Sequence, residues 1–434
     1  MLCAALLLPA TALAQGKVRY DEDWSQLADP AQRTGAWTER FKYIPLGDEA
    51  YLTTGVELRV RSEAYRGNLW GDLSDDQATW VRALPYADLH VAKTRVFVQP
   101  IAAYATGIEG PVDQTRVDLL QAFAETTLTA KGASLTLRAG RQMMPLGSER
   151  LVGTRYGPNV PLAFDGWRAI VRSGSASLSL LAAQPVAPGP DSFDDRRSRT
   201  KQLWGAYLTT SGLELYYLGY RNRAADWGGR QGRELRHSFG ARWFGEHGGT
   251  HWNVEGVAQR GRFAGGTIGA WTLATEIGRR FPGPIEPDAT LRISIASGDK
   301  NPHDKRLGTF NALFPKGKYF GELSPIGPYN IISANPQISA ALAKDWSASL
   351  AAMAYWRFSR GDGIYDVPGN LIRTGDGAAA RFIGKQAEAV LSWQATPELE
   401  LSASLSAFAP GAFIRETGPH RTIAMLGFES EFRF

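Results

Sequence analysis

Along much of this chain apolar and polar side chains alternate one by one. Val56, Leu58 and Val60 oppose Glu57, Arg59, Arg61 and Glu63. Leu291, Ile293 and Ile295 oppose Arg292 and Ser294, and Leu399, Leu401, Ala403 and Leu405 oppose Glu400, Ser402, Ser404 and Ser406. The final run puts Leu426, Phe428, Phe432 and Phe434 on one parity and Gly427, Glu429, Glu431 and Arg433 on the other. An extended strand sends successive side chains to opposite faces. Period two therefore predicts half-buried strands, each with one oily and one charged face. A C-terminal strand of this kind, closed by an aromatic, is a common ending of outer-membrane barrels. It makes the bilayer the expected solvent for half of the surface.

The connections between these runs are of two kinds. Short ones include Thr209 to Gly212, Lys344 to Ser347 and Ala395 to Glu398. Long ones, rich in Gly, Pro, Asp and Arg, fall at roughly 66–79, 142–163, 184–199, 221–235, 297–333, 359–383 and 409–420. Short periplasmic turns alternating with long outer loops are the habit of transmembrane barrels. Walking back from a periplasmic C-terminus to a first strand near Tyr51 gives about 18 strands, an even number with both ends on one side. The fold class expected is all-β, a transmembrane antiparallel barrel. Trp80, Trp167, Trp204, Trp243, Trp252, Trp346, Trp356 and Trp393 fall near predicted strand ends, as interfacial girdles require.

Composition agrees with this picture. The 434 residues are 44% hydrophobic and 21% charged, as expected when each strand gives half its residues to a wet lumen. No apolar run approaches the ~18 residues of a spanning helix. Residues 1–14 read as a secretory signal, with an apolar core and an Ala12-Leu13-Ala14 cleavage site. Residues 15–50 read as a polar periplasmic lead-in, and 51–434 as the barrel. The single cysteine, Cys3, lies in the signal, so a cleaved chain has no disulfide and no cysteine-ligated metal. The charge is +5, carried by 37 Arg against 11 Lys. Arg pairs with carboxylate or phosphate through a planar fork. The Arg residues are spread along the whole chain, which argues against nucleic acid as a partner.

Enzymatic signals are poor. There is no Gly-x-Ser-x-Gly elbow, phosphate loop or His-Glu-x-x-His, so the chain is read as a non-enzyme without a cofactor. Ser238 and His237 are adjacent, and adjacent strand residues point to opposite faces. His247 and His251 enclose Gly248-Gly249, which predicts a turn rather than a helical metal pair. Asp299, Asn301 and Asp304 offer oxygen ligands of the kind Ca²⁺ takes. The string lacks the rest of a calcium loop, so a turn with side-chain caps is the expectation. The stronger signal is the inward parity, which carries Arg59, Arg61, Arg138, Arg168, Arg292, Arg357 and Arg433 with Glu57, Glu63, Glu276, Glu388 and Glu431. Ion pairs that stiffen the wall are one reading. An anion pathway is the other, in which Arg lowers the cost of bringing a polyanion into a narrow pore.

Two stretches carry a family resemblance. One is Arg138-Ala139-Gly140-Arg141-Gln142, then Leu146-Gly147-Ser148-Glu149-Arg150-Leu151, Pro158-Asn159 and Phe164-Asp165-Gly166-Trp167-Arg168. The other is Ser297-Gly298-Asp299-Lys300-Asn301-Pro302-His303-Asp304, then Gly308 to Pro315 and Lys318-Tyr319-Phe320-Gly321. Together they resemble the bacterial alginate export family over most of the chain from about residue 50. The resemblance implies an 18-stranded outer-membrane barrel whose Arg-rich lumen secretes alginate, a uronic-acid polymer. By motif match it adds Arg138, Arg141, Asp165 and Arg168 to the pathway, so the expected set is Arg59, Arg61, Arg138, Arg141, Asp165, Arg168, Arg292 and Arg357. Arg141 departs from the parity of Arg138, which suits a place at the rim. The function expected is passive passage of an anionic polysaccharide, with periplasmic secretion proteins and outer-membrane lipid as partners. The alternative is a porin taking up small solutes such as organic acids or aromatics.

Overall fold

The computed structural model describes residues 18–108, 110 and 112–434; the signal-like stretch 1–14 lies outside them. Eighteen long strands make up the wall: β1 Ala50–Arg66, β2 Gln77–Val91, β3 Thr94–Thr106, β4 Thr115–Ala130, β5 Ala133–Gln142, β6 Phe164–Ser173, β7 Ala176–Ala187, β8 Lys201–Thr209, β9 Leu213–Trp227, β10 Arg230–His247, β11 Thr250–Phe263, β12 Gly266–Arg280, β13 Asp288–Ala296, β14 Ile331–Ala343, β15 Trp346–Arg357, β16 Phe382–Thr396, β17 Leu399–Pro410 and β18 Ile423–Arg433. Each pairs antiparallel with the next, and β18 pairs back onto β1 through Leu58 and Phe432. Closure leaves no open edge, so ladder N–H and C=O groups are satisfied within the wall, as hydrocarbon demands.

The two parities separate as expected. Leu58, Leu350, Leu405 and Phe428 point outward, Phe428 55% exposed. Arg59 and Arg82 sit opposite each other on the inside and are buried. Of the tryptophans expected at the interfaces, Trp167 lies on the outer wall, Trp243 packs at a tilt on Trp252, and Trp346 stacks on Trp393. Trp80 is the exception. It is buried on the inward parity, under the Arg61 guanidinium. On the outer wall, β9 and β11 turn to arginine toward the distal end, and β10 to histidine. Leu215 is followed by Tyr217 and Arg221 on β9, and Phe239 by His237 on β10. Register places Arg260 beside His237, and Arg262 beside Leu235.

Short turns join strands at the end that carries both termini, including Ala92-Lys93, Lys131-Gly132, Gly248-Gly249 and Lys344-Asp345. His247 and His251 flank one of these turns, and His251 Nε2 lies 3.0 Å from an Asp288 carboxylate oxygen. At the other end, residues 143–163, 297–330 and 358–381 form long connections. The expected loop at 221–235 is instead the tip of a hairpin. β9 and β10 run on to Gly228-Gly229 across a bulge between Asn222 and Ala225. Its Arg, Gly and Asp content suggested a loop, but the ladder continues to the tip, with Trp227 of its inner face buried against Tyr329 and Tyr365.

Within residues 18–49, the stretches around Tyr20 and Lys42 pack against the inner face, while 28–35 and 45–49 are exposed. Tyr20 lies edge-on to Phe97 and Phe123, and the Arg138 guanidinium sits 4.2 Å over its ring. Arg95 donates to the Tyr20 carbonyl at 2.7 Å. Lys42 donates to Tyr86 at 2.7 Å, among the rings of Trp24, Tyr86 and Phe434. Trp37 and Phe41 pack on Phe434, the last residue of the chain.

Candidate functional site

The site is built by two connections that turn into the barrel. Arg59 donates to the carbonyls of Tyr156 at 2.9 Å and Pro158 at 3.0 Å, and Arg82 reaches the same two carbonyls at 3.2 Å. Arg82 also pairs with Glu57 at 2.6 Å. The Asn159 amide is shared among the carbonyls of Val81, Tyr104 and Asp113. These contacts seat residues 143–163 inside the wall of β1 to β4. Gly147, at φ +52°, passes so close to the Tyr207 hydroxyl that a Cβ would overlap it. Any larger residue there would push the loop off the wall.

Residues 297–330 enter from the opposite side. Asn311 donates to Glu234 at 3.2 Å, and its backbone N–H donates to Gln259 at 3.0 Å. Arg236 donates to the Thr309 carbonyl at 3.1 Å while paired with Glu234 at 2.6 Å. The two loops then meet. Phe314 N–H donates to the Leu151 carbonyl, and Gly153 N–H to the Phe314 carbonyl, both at 2.8 Å. Phe314 itself is buried edge-on against Phe164. The stretches that carry the family resemblance are thus the ones that narrow the lumen.

A cavity of about 240 Å³ lies where they meet, lined in part by Arg61, Trp80, Asp113, Arg155, Lys318 and Glu322. Arg61 pairs with Glu63, and Lys318 with Glu322. Arg155 is different. Its Nε donates to the Pro315 carbonyl at 3.3 Å, and among the described residues no carboxylate lies within 4 Å of it. Burial holds its guanidinium below its ordinary range. Burial, and then the Arg61 charge, likewise lower the Lys318 ammonium. An incoming anion relieves both costs. A second cavity, of about 440 Å³, lies distal to the first and is lined by Lys201, Trp227, Asn311 and Asn370 among others; Pro368 borders both.

The residues expected from the sequence have different fates. Arg59 and Arg61 reach the infolded loop. Arg138 pairs with Glu125 at 2.6 Å and covers Tyr20. Arg168 donates to Ser179 at 2.5 Å. Arg292 pairs with Glu276 at 2.6 Å and stays 44% exposed in the open lumen. Arg357 is buried and has no free donor for a cargo. Its guanidinium donates to the carbonyls of Arg360, Asp362, Ala378 and Ala380, so it organises the loop after β15. Arg141 and Asp165 lie on the outward parity and pair with each other at 2.8 Å, away from the lumen. Asp299, Asn301 and Asp304 each cap a backbone N–H, those of Asn301, His303 and Arg306. Ser238 is buried inside, while His237 bonds Tyr217 outside. Sequence reading gave no pathway role to Arg82, Arg155, Asn159, Arg236 or Asn311, although Asn159 and Asn311 stand in the motifs that carry the resemblance. Arg82 and Arg236 hold inward positions on their strands, a parity signal that was legible. Arg155, Asn159 and Asn311 sit in loops, where no parity exists.

A family model described as alginate export matches residues 50–427. The chain belongs to the alginate export family. The match begins at the first residue of β1 and ends within β18, so in this alginate export family member the family unit is the barrel itself. Among solved structures, it resembles Pseudomonas aeruginosa OccK2 (OpdF) in complex with glucuronate, at 10% identity and TM-score 0.57, covering 91% of this chain and 98% of that one. It also resembles P. aeruginosa OpdK with vanillate, at 10% identity and TM-score 0.58, covering 88% and 98%. P. aeruginosa OccK11 (OpdR) matches at 13% identity and TM-score 0.55, covering 88% and 96%. No curated protein sequence matches it. These similarities and the closed wall make the chain an outer-membrane channel barrel.

Proposed function

We propose that this barrel passes anionic saccharides of the uronate type, with alginate as its polymeric cargo and export as the direction. The observation that carries the reading is Arg155, a cation without a carboxylate partner among the described residues, beside the cavity where the two infolded loops meet, with Arg61 and Lys318 in the same lining. Most other luminal Arg charges are already balanced by Glu or Asp neighbours. Much of the wall charge is therefore balanced in place, and Arg155 is left for an incoming anion to pair. Weak repeated pairing suits conduction, because each site must release what it binds. The family supports a polysaccharide, and the glucuronate named in one structural neighbour is itself a uronate. The seating of both loops in the lumen supports the second reading, uptake of small organic acids, since it narrows the corridor. Planar-bilayer conductance separates the two. Polyuronate export predicts anion selectivity and block that strengthens with oligomer length. Equal block by monomer and oligomer favours the small-acid porin. Cation selectivity with no response to uronate overturns both.

A further inference from the structure

On the outer wall of β9 to β12, the aromatic positions give way to arginines toward the distal end. Arg221, Arg260, Arg262 and Arg306 all occupy the outward parity and are exposed. Register ties them into one patch. Arg221 and Arg262 both lie opposite Leu235, from its two sides. Arg262 faces Thr267, which pairs in turn with Arg306 of the short strand Arg306–Leu307. Neighbouring strands stand about 4.8 Å apart, so Arg221 and Arg262 are separated by roughly 10 Å. The Arg260 and Arg306 guanidinium groups converge over Gly269, where a Cβ would lie 3.4 Å from one and 3.1 Å from the other. Gathering like charges costs energy unless a counter-charge arrives. Among the described residues no carboxylate lies within 4 Å of any of the four guanidinium groups, although many other Arg residues have one, and the Asp304 carboxylate beside Arg306 caps its backbone N–H.

This patch borders Tyr217, Phe239 and Trp271, the ring band expected where acyl chains meet headgroups. It lies at the end with the long loops, which is the outer face. The outer leaflet of a Gram-negative outer membrane is built from glycolipid whose diglucosamine headgroup carries phosphates. Guanidinium forks bind phosphate through two parallel hydrogen bonds, and basic clusters at this depth bind lipid headgroups. We infer that Arg221, Arg260, Arg262 and Arg306 form a binding site for the phosphorylated headgroup of lipid A. The site lies on the outside of the wall and takes no part in the passage of cargo.

The test uses the purified full-length barrel in nanodiscs with titrated bisphosphorylated lipid A, read by native mass spectrometry and thermal shift. Wild type should retain bisphosphorylated lipid A and gain thermal stability from it. The R221Q/R260Q/R262Q/R306Q variant should bind at least about tenfold more weakly, the scale of one lost charge-assisted contact. Unchanged single-channel conductance of that variant would show that the barrel is intact. R260Q/R306Q alone should show part of the same loss, which keeps the test alive if the quadruple variant fails to insert. Equal retention by wild type and both variants overturns the site. So does equal binding of dephosphorylated lipid A, or of phosphatidylglycerol.

Discussion

At the scale of single residues, the same side chain does opposite work according to what surrounds it. Arg357 is buried and Arg155 half-buried, both in the distal half of the molecule. Arg357 spends its donors on four loop carbonyls, whereas Arg155 has one carbonyl and no anion. R155Q should therefore move the reversal potential in a salt gradient toward zero, with little change in thermal midpoint. R357A should leave that potential nearly unchanged. It strands buried carbonyls and should cost roughly 3 kcal/mol or more, seen as a lower midpoint and protease cleavage within 358–381.

At the scale of elements, the strands were legible because a half-buried strand repeats every two residues, and both parities of β1, β13, β17 and β18 kept their assigned faces. Parity could not report contacts made by loops. It gave Arg59 as luminal but not the carbonyls of Tyr156 and Pro158 that occupy it. It also gave the Arg141 and Asp165 motif residues no role in the wall, where they pair on the outside. The infolding of 143–163 depends on backbone carbonyls meeting guanidinium and amide donors, and a sequence leaves no periodic trace of that. Asn159 concentrates the effect, since one amide holds three carbonyls of the wall and its neighbouring connection. N159A should weaken that loop's hold by about 1–3 kcal/mol. The measurable result is larger and noisier single-channel conductance, with the heat-modifiable barrel otherwise intact.

At the scale of the whole molecule, the distal connections are clasped to one another as well as to the wall. Asp362 accepts from the Asp299 backbone N–H, Thr309 and Tyr365, which binds 358–381 to 297–330. Burial, aided by the nearby Asp362 charge, pushes the Asp299 carboxyl up to about 6. The unfolded carboxyl titrates near 3.8, so between these values the folded state holds the extra proton. Stability then falls as pH rises through about 4 to 6, and the full cost of ionisation stands above that window. D299N should raise the thermal midpoint at pH 8 and leave it nearly unchanged at pH 4. A further clasp joins the ends of the chain, where Trp37, Phe41 and Lys42 surround Phe434. These partners are almost four hundred residues apart along the polypeptide. The knot can be tied only once the closing strand has met the opening one, so it records completed insertion. A molecule stalled one strand short would keep its leading segment only by the Tyr20 and Tyr86 contacts, and the rings of Trp37 and Phe41, stripped of Phe434, would be where quality-control proteases reach first.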